Sequence, residues 1–145
     1  MAAGLLREAL ALWRGPPLAD LEGYDVAERE AARLEELRRA ATEDRVDADL
    51  ALGRHAQLVG EQQALAAAHP FRERVWSQLM LALYRCGRQA QALETYRTLQ
   101  RGLAAELDVD PAPETRRLHT LLLRHDPQIE WRPPATAWST RAPGH

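Results

Sequence analysis

A five-residue stretch occurs twice in this chain, and it constrains the fold more than any other feature. "GRHAQ" begins at Gly53 and "GRQAQ" begins at Gly87, which lies 34 residues later. A fixed period of this length indicates a structural unit repeated along the chain. Helical patterns flank both copies, so each glycine is predicted to make a tight turn between two helices, where a Cβ would be costly at positive φ.

The second copy fits the helix–turn–helix pattern of a tetratricopeptide unit. Trp76 and Leu79 stand three apart on the predicted first helix, and Ala92 and Tyr96 form a small-then-aromatic pair on the second. The first copy keeps Pro70 as the closing proline of the unit. It is otherwise degenerate, because it departs from the pattern at three positions: Thr42, Leu58 and Gln62.

Composition supports a helical chain, because Ala and Leu dominate while Ile and Phe occur once each. Apolar periodicity predicts helices over about 2–13, 25–52, 54–68, 71–86, 88–107 and 113–125. Asp25 and Glu28 are expected to form the capping box of the second helix, and Asp110 to help cap the last. No segment alternates with period two. The predicted fold is all-α, with six to seven helices as tetratricopeptide-like hairpins in one bundle or short solenoid.

Charge and residue usage exclude several classes of protein. All 19 basic residues are arginine, so neither a Schiff-base lysine nor a Walker-type phosphate loop is available. A net charge of −2 argues against a free-standing DNA-binding protein. One cysteine forms no internal disulfide, and neither a signal peptide nor a membrane span is apparent. We therefore expect a cytoplasmic protein with no membrane partner.

Candidate catalytic and metal-binding residues have simpler structural interpretations. Cys86 directly precedes Gly87 and has no evident His–acid pair, so it is predicted to pack near the turn. The five histidines lack zinc-ligand spacing, and "DVD" at 108–110 lacks the rest of a calcium loop. Trp13, Trp76, Tyr84 and Tyr96 are expected to make core or inter-helix contacts rather than to form a ligand-binding aromatic cluster. We predict no enzyme activity, no catalytic residue, no cofactor and no metal.

Several blocks of the sequence, in order, resemble a known family. These are "LREALALWRGPPLADL" at 6–21, "ADLALGRHAQLVGE" at 48–61 and "HPFRERVWSQLMLALYRCGRQAQALETYRTLQRGLAAELDVDPAPETRRLH" at 69–119. They are similar to the bacterial transcriptional activator domain of actinobacterial antibiotic regulatory proteins, the SARP family. The resemblance covers about residues 3–127 and implies tetratricopeptide-like helix pairs. It divides the chain into an activator domain, 1–127, and a proline-rich tail or linker, 128–145.

The resemblance also implies a function. In the family, this domain follows a winged-helix DNA-binding domain and is implicated in self-association and in contacts with the transcription machinery. No winged-helix sequence precedes the first helix here, so we expect DNA contact only through a neighbouring domain outside this sequence. The expected partners are a second copy, RNA polymerase and sigma factor, or a family member. The alternative is a stand-alone regulator or decoy that pairs with full-length family members without binding DNA.

The tetratricopeptide pattern also suggests a partner-binding face. In such units the first helix lines the concave side, which places four candidates there: Arg74, Ser77, Tyr84 and Arg85. Arginine and tyrosine are common interface anchors. An ordinary solvated face remains the alternative. Trp131 and Trp138, in the tail, are either exposed or docked on a partner or on the groove of this domain.

Overall fold

A computed structural model describes residues 20–134, with side chains from Gly23 onward. Five α-helices follow one another: α1 (Asp20–Ala51), α2 (His55–Ala68), α3 (Glu73–Arg85), α4 (Gln89–Leu107) and α5 (Pro113–Arg124), and then a 3-10 helix, Pro127–Ile129. No strand occurs among these residues, and the predicted all-α class is confirmed. The helix predicted over 2–13, which would add to these five, and Trp138 lie outside the described residues.

The beginning of α1 differs from the prediction. The helix starts at Asp20, so Asp25 and Glu28 lie inside it and the expected capping box is not the start of the helix. Asp20, Leu21 and Glu22 are compatible with helix, and Gly23 is tolerated within it at a cost of roughly 1 kcal/mol. The capping pattern was therefore a local coincidence of residue types.

The chain forms two compact units, residues 1–44 and 45–145, and α1 contributes to both. Within the first unit, α1 carries Arg–Glu ion pairs spaced three residues apart, such as Arg33 with Glu30 and Arg38 with Glu35. Exposed pairs of this kind contribute little to stability, about 0–1 kcal/mol each. The second unit holds α2 to α5 and the hydrophobic core.

Helix α3 lies at the centre of the second unit. It packs against α2 and α4 and also contacts α5. Its apolar side supplies Met80 and Leu83, which are fully buried, together with Trp76 and Leu79. Burying a side chain of this size contributes about 1.5–3 kcal/mol. Helix α3 therefore organises the core, and its opposite side is left for other contacts.

The α3–α4 pair has the packing expected of a helical hairpin. Ala92 and Tyr96, on α4, are both buried, and the alanine is completely inaccessible. A small side chain at a helix contact allows the two backbones to approach, because nothing larger separates them. His119 of α5 stacks on the Tyr96 ring, with 3.8 Å between centroids and 3° between planes. Helix α5 is thereby joined to the hairpin.

The two glycine turns have the same geometry. Gly53 has φ of 83° and Gly87 has φ of 78°, both in the left-handed region that glycine adopts without steric cost. The following arginine N–H donates to a carbonyl five residues earlier, from Arg54 to Asp49 at 3.0 Å and from Arg88 to Leu83 at 2.9 Å. This is the hydrogen bond of a Schellman helix end.

Helix α3 begins later than predicted, and the cap of α5 differs too. Pro70 is exposed in the loop between α2 and α3, and α3 begins at Glu73 rather than at residue 71. The carboxylate of Glu73 accepts hydrogen bonds from the Ala112 N–H at 2.9 Å and the Thr115 hydroxyl at 2.7 Å. The start of α5 is thus capped by a side chain from α3, and the expectation that Asp110 helps cap it is wrong.

Candidate partner-binding groove

One face of α3 carries the candidate partner-binding residues. Arg74, Ser77, Tyr84 and Arg85 fall on a common side of the helix, because their spacing of three, seven and one residues spans less than a third of a turn around the axis. Ser77, Tyr84 and Arg85 are half-buried, and Arg74 is exposed. The four side chains contact different neighbours.

Arg74 belongs to a polar chain that links α1, α2 and α3. Its guanidinium lies 2.7 Å from the carboxylate of Asp47, whose other oxygen accepts a hydrogen bond from the Gln78 amide at 2.8 Å. The Gln78 oxygen in turn accepts from buried Gln62 at 3.1 Å. Buried polar groups require such partners, and this polar chain helps to fix the relative placement of the helices that supply it, although Oε1 of Gln62 has no partner among the described residues. Part of the role of Arg74 is therefore structural.

Arg85 faces the chain that follows α5. Its Nε–H donates to the Ile129 carbonyl at 2.9 Å. Burial lowers the pKa of Arg85 from its ordinary value. The guanidinium nevertheless stays charged at neutral pH, since arginine is not deprotonated in proteins. A half-buried cation with several further N–H donors is well suited to bind carbonyl or carboxylate oxygens.

Tyr84 lies on the same face, nearer to the end of α5. Its hydroxyl is 3.4 Å from Nδ1 of His125, which ends α5 in the left-handed conformation with φ of 51°. The pKa of Tyr84 is raised, first by burial and then by the negative charges of Glu130 and Asp126. The phenol is thus protonated and able to donate a hydrogen bond.

The segment after the 3-10 helix lies against this face instead of leaving the domain. Ile129 is buried, with 6% of its surface exposed. The indole N–H of Trp131 donates to the Ala51 carbonyl at the end of α1, at 3.0 Å. The indole also meets the His55 ring edge to face, with 5.6 Å between centroids. Of the alternatives open for Trp131, docking on this domain is the one observed.

The His55 ring beside the Trp131 indole lacks hydrogen bonds to the described residues. It is buried, and neither ring nitrogen has a hydrogen-bond partner within residues 20–134. Its pKa is lowered, first by burial and then by the charge of Arg85. The neutral form is therefore favoured, and the ring acts as an apolar and aromatic surface for Trp131.

Two open hollows flank residues 130–131. One, of about 480 Å³, is lined by His55, Tyr84, Arg85, Gly87, Gln89 and His125. The other, of about 470 Å³, is lined by Asp47, Leu50, Ala51, Leu81, Arg132 and Pro134 and again by Arg85. Glu130 and Trp131 border both. We call the surface formed by the end of α1, the outer face of α3 and these two hollows the concave groove.

Three contributors to this region were not identified from the sequence. In the sequence, nothing distinguishes Asp47, Gln78 and His55 from ordinary helix residues. Their contacts become apparent only in the three-dimensional structure. A signal did exist for Gln78, because it follows Trp76 and Ser77 on a helix side that the apolar spacing marks as partly buried. A buried glutamine at such a position indicates a partner across the helix interface.

The described part of the chain has neither a metal-binding cluster nor a membrane-spanning helix. Within residues 20–134, no group of three or more His, Cys, Asp or Glu side chains is placed to hold a metal ion. No helix in the same range is both long and apolar enough to cross a membrane. Cys86 is half-buried at the end of α3 and packs against the core.

Comparison with known proteins agrees with this architecture. The bacterial transcriptional activator domain family matches residues 1–123. The regulatory protein DnrI of Streptomyces peucetius is 45% identical over 130 residues, which cover 90% of this chain and 48% of DnrI. The regulatory protein AfsR of Streptomyces coelicolor is 48% identical over 141 residues, which cover 97% of this chain and 14% of AfsR.

A solved structure shows the same fold. Mycobacterium tuberculosis EmbR, in complex with a low-affinity phosphopeptide, aligns with a TM-score of 0.68 and 35% identity, over 96% of this chain and 35% of that one. The chain thus spans less than half the length of each of these relatives.

The fold defines an all-α protein built from tetratricopeptide-like helix pairs. The chain belongs to the bacterial transcriptional activator domain family, and its relatives include SARP-type regulators of transcription. The resemblance seen in the sequence blocks is thereby confirmed.

Proposed function

We propose that this chain is a non-catalytic protein-interaction module of a SARP-type transcriptional activator. It self-associates, or contacts RNA polymerase and sigma factor, while a winged-helix domain outside this sequence recognises DNA. The α3 face that borders the concave groove is the contact surface, with Tyr84 and Arg85 as its anchors.

The observation that carries this proposal is the half-buried state of Arg85 beside open space. Its Nε–H donates to the Ile129 carbonyl, and the Arg85 residue lines both hollows. Tyr84 stands one residue away and borders one of them. Arginine and tyrosine in a partly desolvated hollow are typical of binding hot spots, since each combines a large contact area with directional hydrogen bonds.

A site-specific crosslink tests the proposal. The chain is joined to the winged-helix domain of a SARP-type regulator, and a photoreactive side chain replaces Ser77, which is half-buried on the α3 face. The control places it at Gln100, which is exposed on α4 and outside the groove lining. We expect crosslinks from position 77 to polymerase holoenzyme or to a second copy, and few from position 100. Equal yields, or activation that survives deletion of this domain, would contradict the proposal.

Light scattering after size exclusion separates the partner classes. Self-association predicts a dimer mass for the chain alone. Pairing with a full-length relative predicts a new mixed species when the two are combined, as the stand-alone regulator alternative requires. A monomer in both measurements, together with a polymerase crosslink, assigns the surface to the transcription machinery.

A further inference from the structure

The concave groove already contains a peptide, which belongs to the same chain. Residues 129–132 cross it after the 3-10 helix, and Glu130 has the extended conformation, with φ of −68° and ψ of 138°. Extended chains lying on the concave side of helical repeats are bound through backbone and side-chain contacts together. The contacts of this segment therefore show what kind of ligand the groove holds.

Besides the His55 ring, three contacts hold the segment, and they are complementary to specific parts of it. Arg85 binds a backbone carbonyl, that of Ile129. The Ala51 carbonyl accepts the indole N–H of Trp131. A Cβ built on Gly53 would lie 2.6 Å from Cζ2 of Trp131, so the indole rests directly on the glycine backbone. The groove thus has a donor for the ligand backbone and an indole-sized seat beside it.

The segment is held far less firmly than the helices. Trp131 keeps 36% of its surface exposed, and Glu130, Arg132, Pro133 and Pro134 are all exposed. Regions with few buried apolar contacts open at a small fraction of the global unfolding free energy. The Asp126 turn before the 3-10 helix lets the segment detach while α5 stays in place; detachment costs the burial of Ile129 and the contacts of the 3-10 helix with α5.

We propose that the concave groove is a binding site for an extended, tryptophan-bearing segment of a partner protein, and that residues 129–132 occupy it in cis until that segment displaces them. The ligand would have an aliphatic residue two positions before the tryptophan, as Ile129 precedes Trp131. A basic residue after the tryptophan fits as well, since Arg132 and Asp47 line the same hollow. This inference rests on the proposed interaction function and specifies its ligand.

A labelled peptide tests the site directly. Fluorescein-PQIEWRPP, the sequence of residues 127–134, is titrated into the full chain and into its Trp131→Ala variant, with fluorescence anisotropy as the readout. Tethered segments compete at effective concentrations in the millimolar range, so the variant should bind the peptide at least about tenfold more tightly than the wild type. A peptide with alanine for tryptophan should bind neither. Absence of binding to the variant, or equal affinity for both proteins, would overturn the proposal.

Two glycines provide a matched control. Gly53→Ala in the Trp131→Ala background should weaken peptide binding at least about tenfold, because a methyl group then occupies the indole seat. Gly60→Ala adds the same methyl group on α2, outside the groove lining, where no atom of the described residues lies within 4 Å of its Cβ, so peptide affinity should be unchanged. Equal effects of the two substitutions would contradict an indole seat at Gly53.

Wild-type protein gives a readout that does not depend on how any variant folds. Saturating peptide should move the Trp131 indole N–H resonance to the position of a solvent-exposed indole. A resonance that stays in place at saturation overturns displacement. If the chain is a dimer whose mass falls to that of the monomer when the peptide is added, the groove binds a second copy of the chain. That result would overturn the assignment of the groove to a different partner protein. Peptide binding without any crosslink from position 77, either to polymerase or to a second copy, contradicts the proposed function alone. A crosslink without peptide binding contradicts this inference alone.

Discussion

Gly53 and Gly87 are equivalent in the repeat but not in their surroundings. Both adopt the left-handed conformation that ends a helix, and a side chain is strained there by roughly 1–2 kcal/mol. The space above Gly87 is open, whereas that above Gly53 is filled by the Trp131 ring. The sequence repeat explains why both positions need a residue that adopts positive φ without strain. At Gly53 the fold adds a second reason for glycine, because the Trp131 ring fills the space that a side chain would take.

Alanine at these two positions should therefore have unequal effects. We expect Gly87→Ala to lower the free energy of unfolding by about 1–2 kcal/mol, from backbone strain alone. Gly53→Ala should cost about 1–3 kcal/mol more, because the new methyl group overlaps the indole. Urea denaturation of both variants measures the difference. In a Trp131→Ala background the two costs should become equal, and a difference that persists there would contradict this explanation.

Two histidines should make the stability depend on pH. The pKa values of His55 and His119 are lowered from 6.5, in each case first by burial and then by an arginine charge, from Arg85 and Arg97 respectively. The unfolded chain then binds more protons than the folded chain just below pH 6.5. The contribution of the two histidines to the free energy of unfolding is therefore complete above pH 6.5. It is lost as the pH falls toward their pKa values in the folded state.

Urea unfolding at pH 7.5, 6.5 and 5.5 tests this dependence before most carboxylates titrate. The free energy of unfolding should decrease across the series. His55→Asn and His119→Asn should each lower the stability at pH 7.5 yet flatten its decline toward pH 5.5. A wild-type stability that does not change, or an unaltered decline in both variants, would show that neither ring titrates differently on folding.

At the scale of the elements, Glu73 joins helices that are distant in sequence. It lies in the first turn of α3, and its carboxylate binds the Ala112 N–H and the Thr115 hydroxyl at the start of α5. These donors are 39 and 42 residues away along the chain. A carboxylate at a helix N-terminus is also stabilised by the helix dipole.

Glu73→Ala should therefore destabilise the domain by about 1–3 kcal/mol, as expected when charge-assisted hydrogen bonds are lost and their donors remain. Glu106→Ala provides a control of the same residue type, exposed on α4, and should stay within about 0.5 kcal/mol of the wild type. Thermal and urea denaturation give both values. Equal stabilities of the two variants would contradict the cap assigned to Glu73.

The helices themselves could be predicted from the sequence because their causes are local. The apolar spacing and the two glycines determine α2, α3 and α4, whose observed ends lie within two residues of the predicted ones. The start of α1 and the cap of α5 could not be obtained in this way. Helix formers precede Asp25 and extend α1, and the cap of α5 comes from Glu73, which no local pattern near Asp110 indicates.

At the scale of the whole molecule, the α3 face could be predicted from the sequence, but the segment that occupies it, residues 129–132, could not. The repeat placed Tyr84 and Arg85 together because they share one helix. The contact between Ala51 and Trp131 spans 80 residues and depends on how α5 ends. The proline-rich composition after Asp126 indicated only a linker, although a short apolar pair, Ile129 and Trp131, was the signal that this linker docks.

The most direct test of the account is in vitro transcription by the chain joined to a winged-helix domain of a SARP-type regulator. Arg85→Ala removes the charged anchor from the concave groove, and Arg97→Ala removes an exposed arginine from α4, where it pairs with Glu94. Gel shifts first establish equal promoter binding by the two variants. We predict that Arg85→Ala lowers activated transcript yield at least about fivefold while Arg97→Ala leaves it unchanged. Full activation by the Arg85→Ala protein would contradict the claim that this face makes the activating contact.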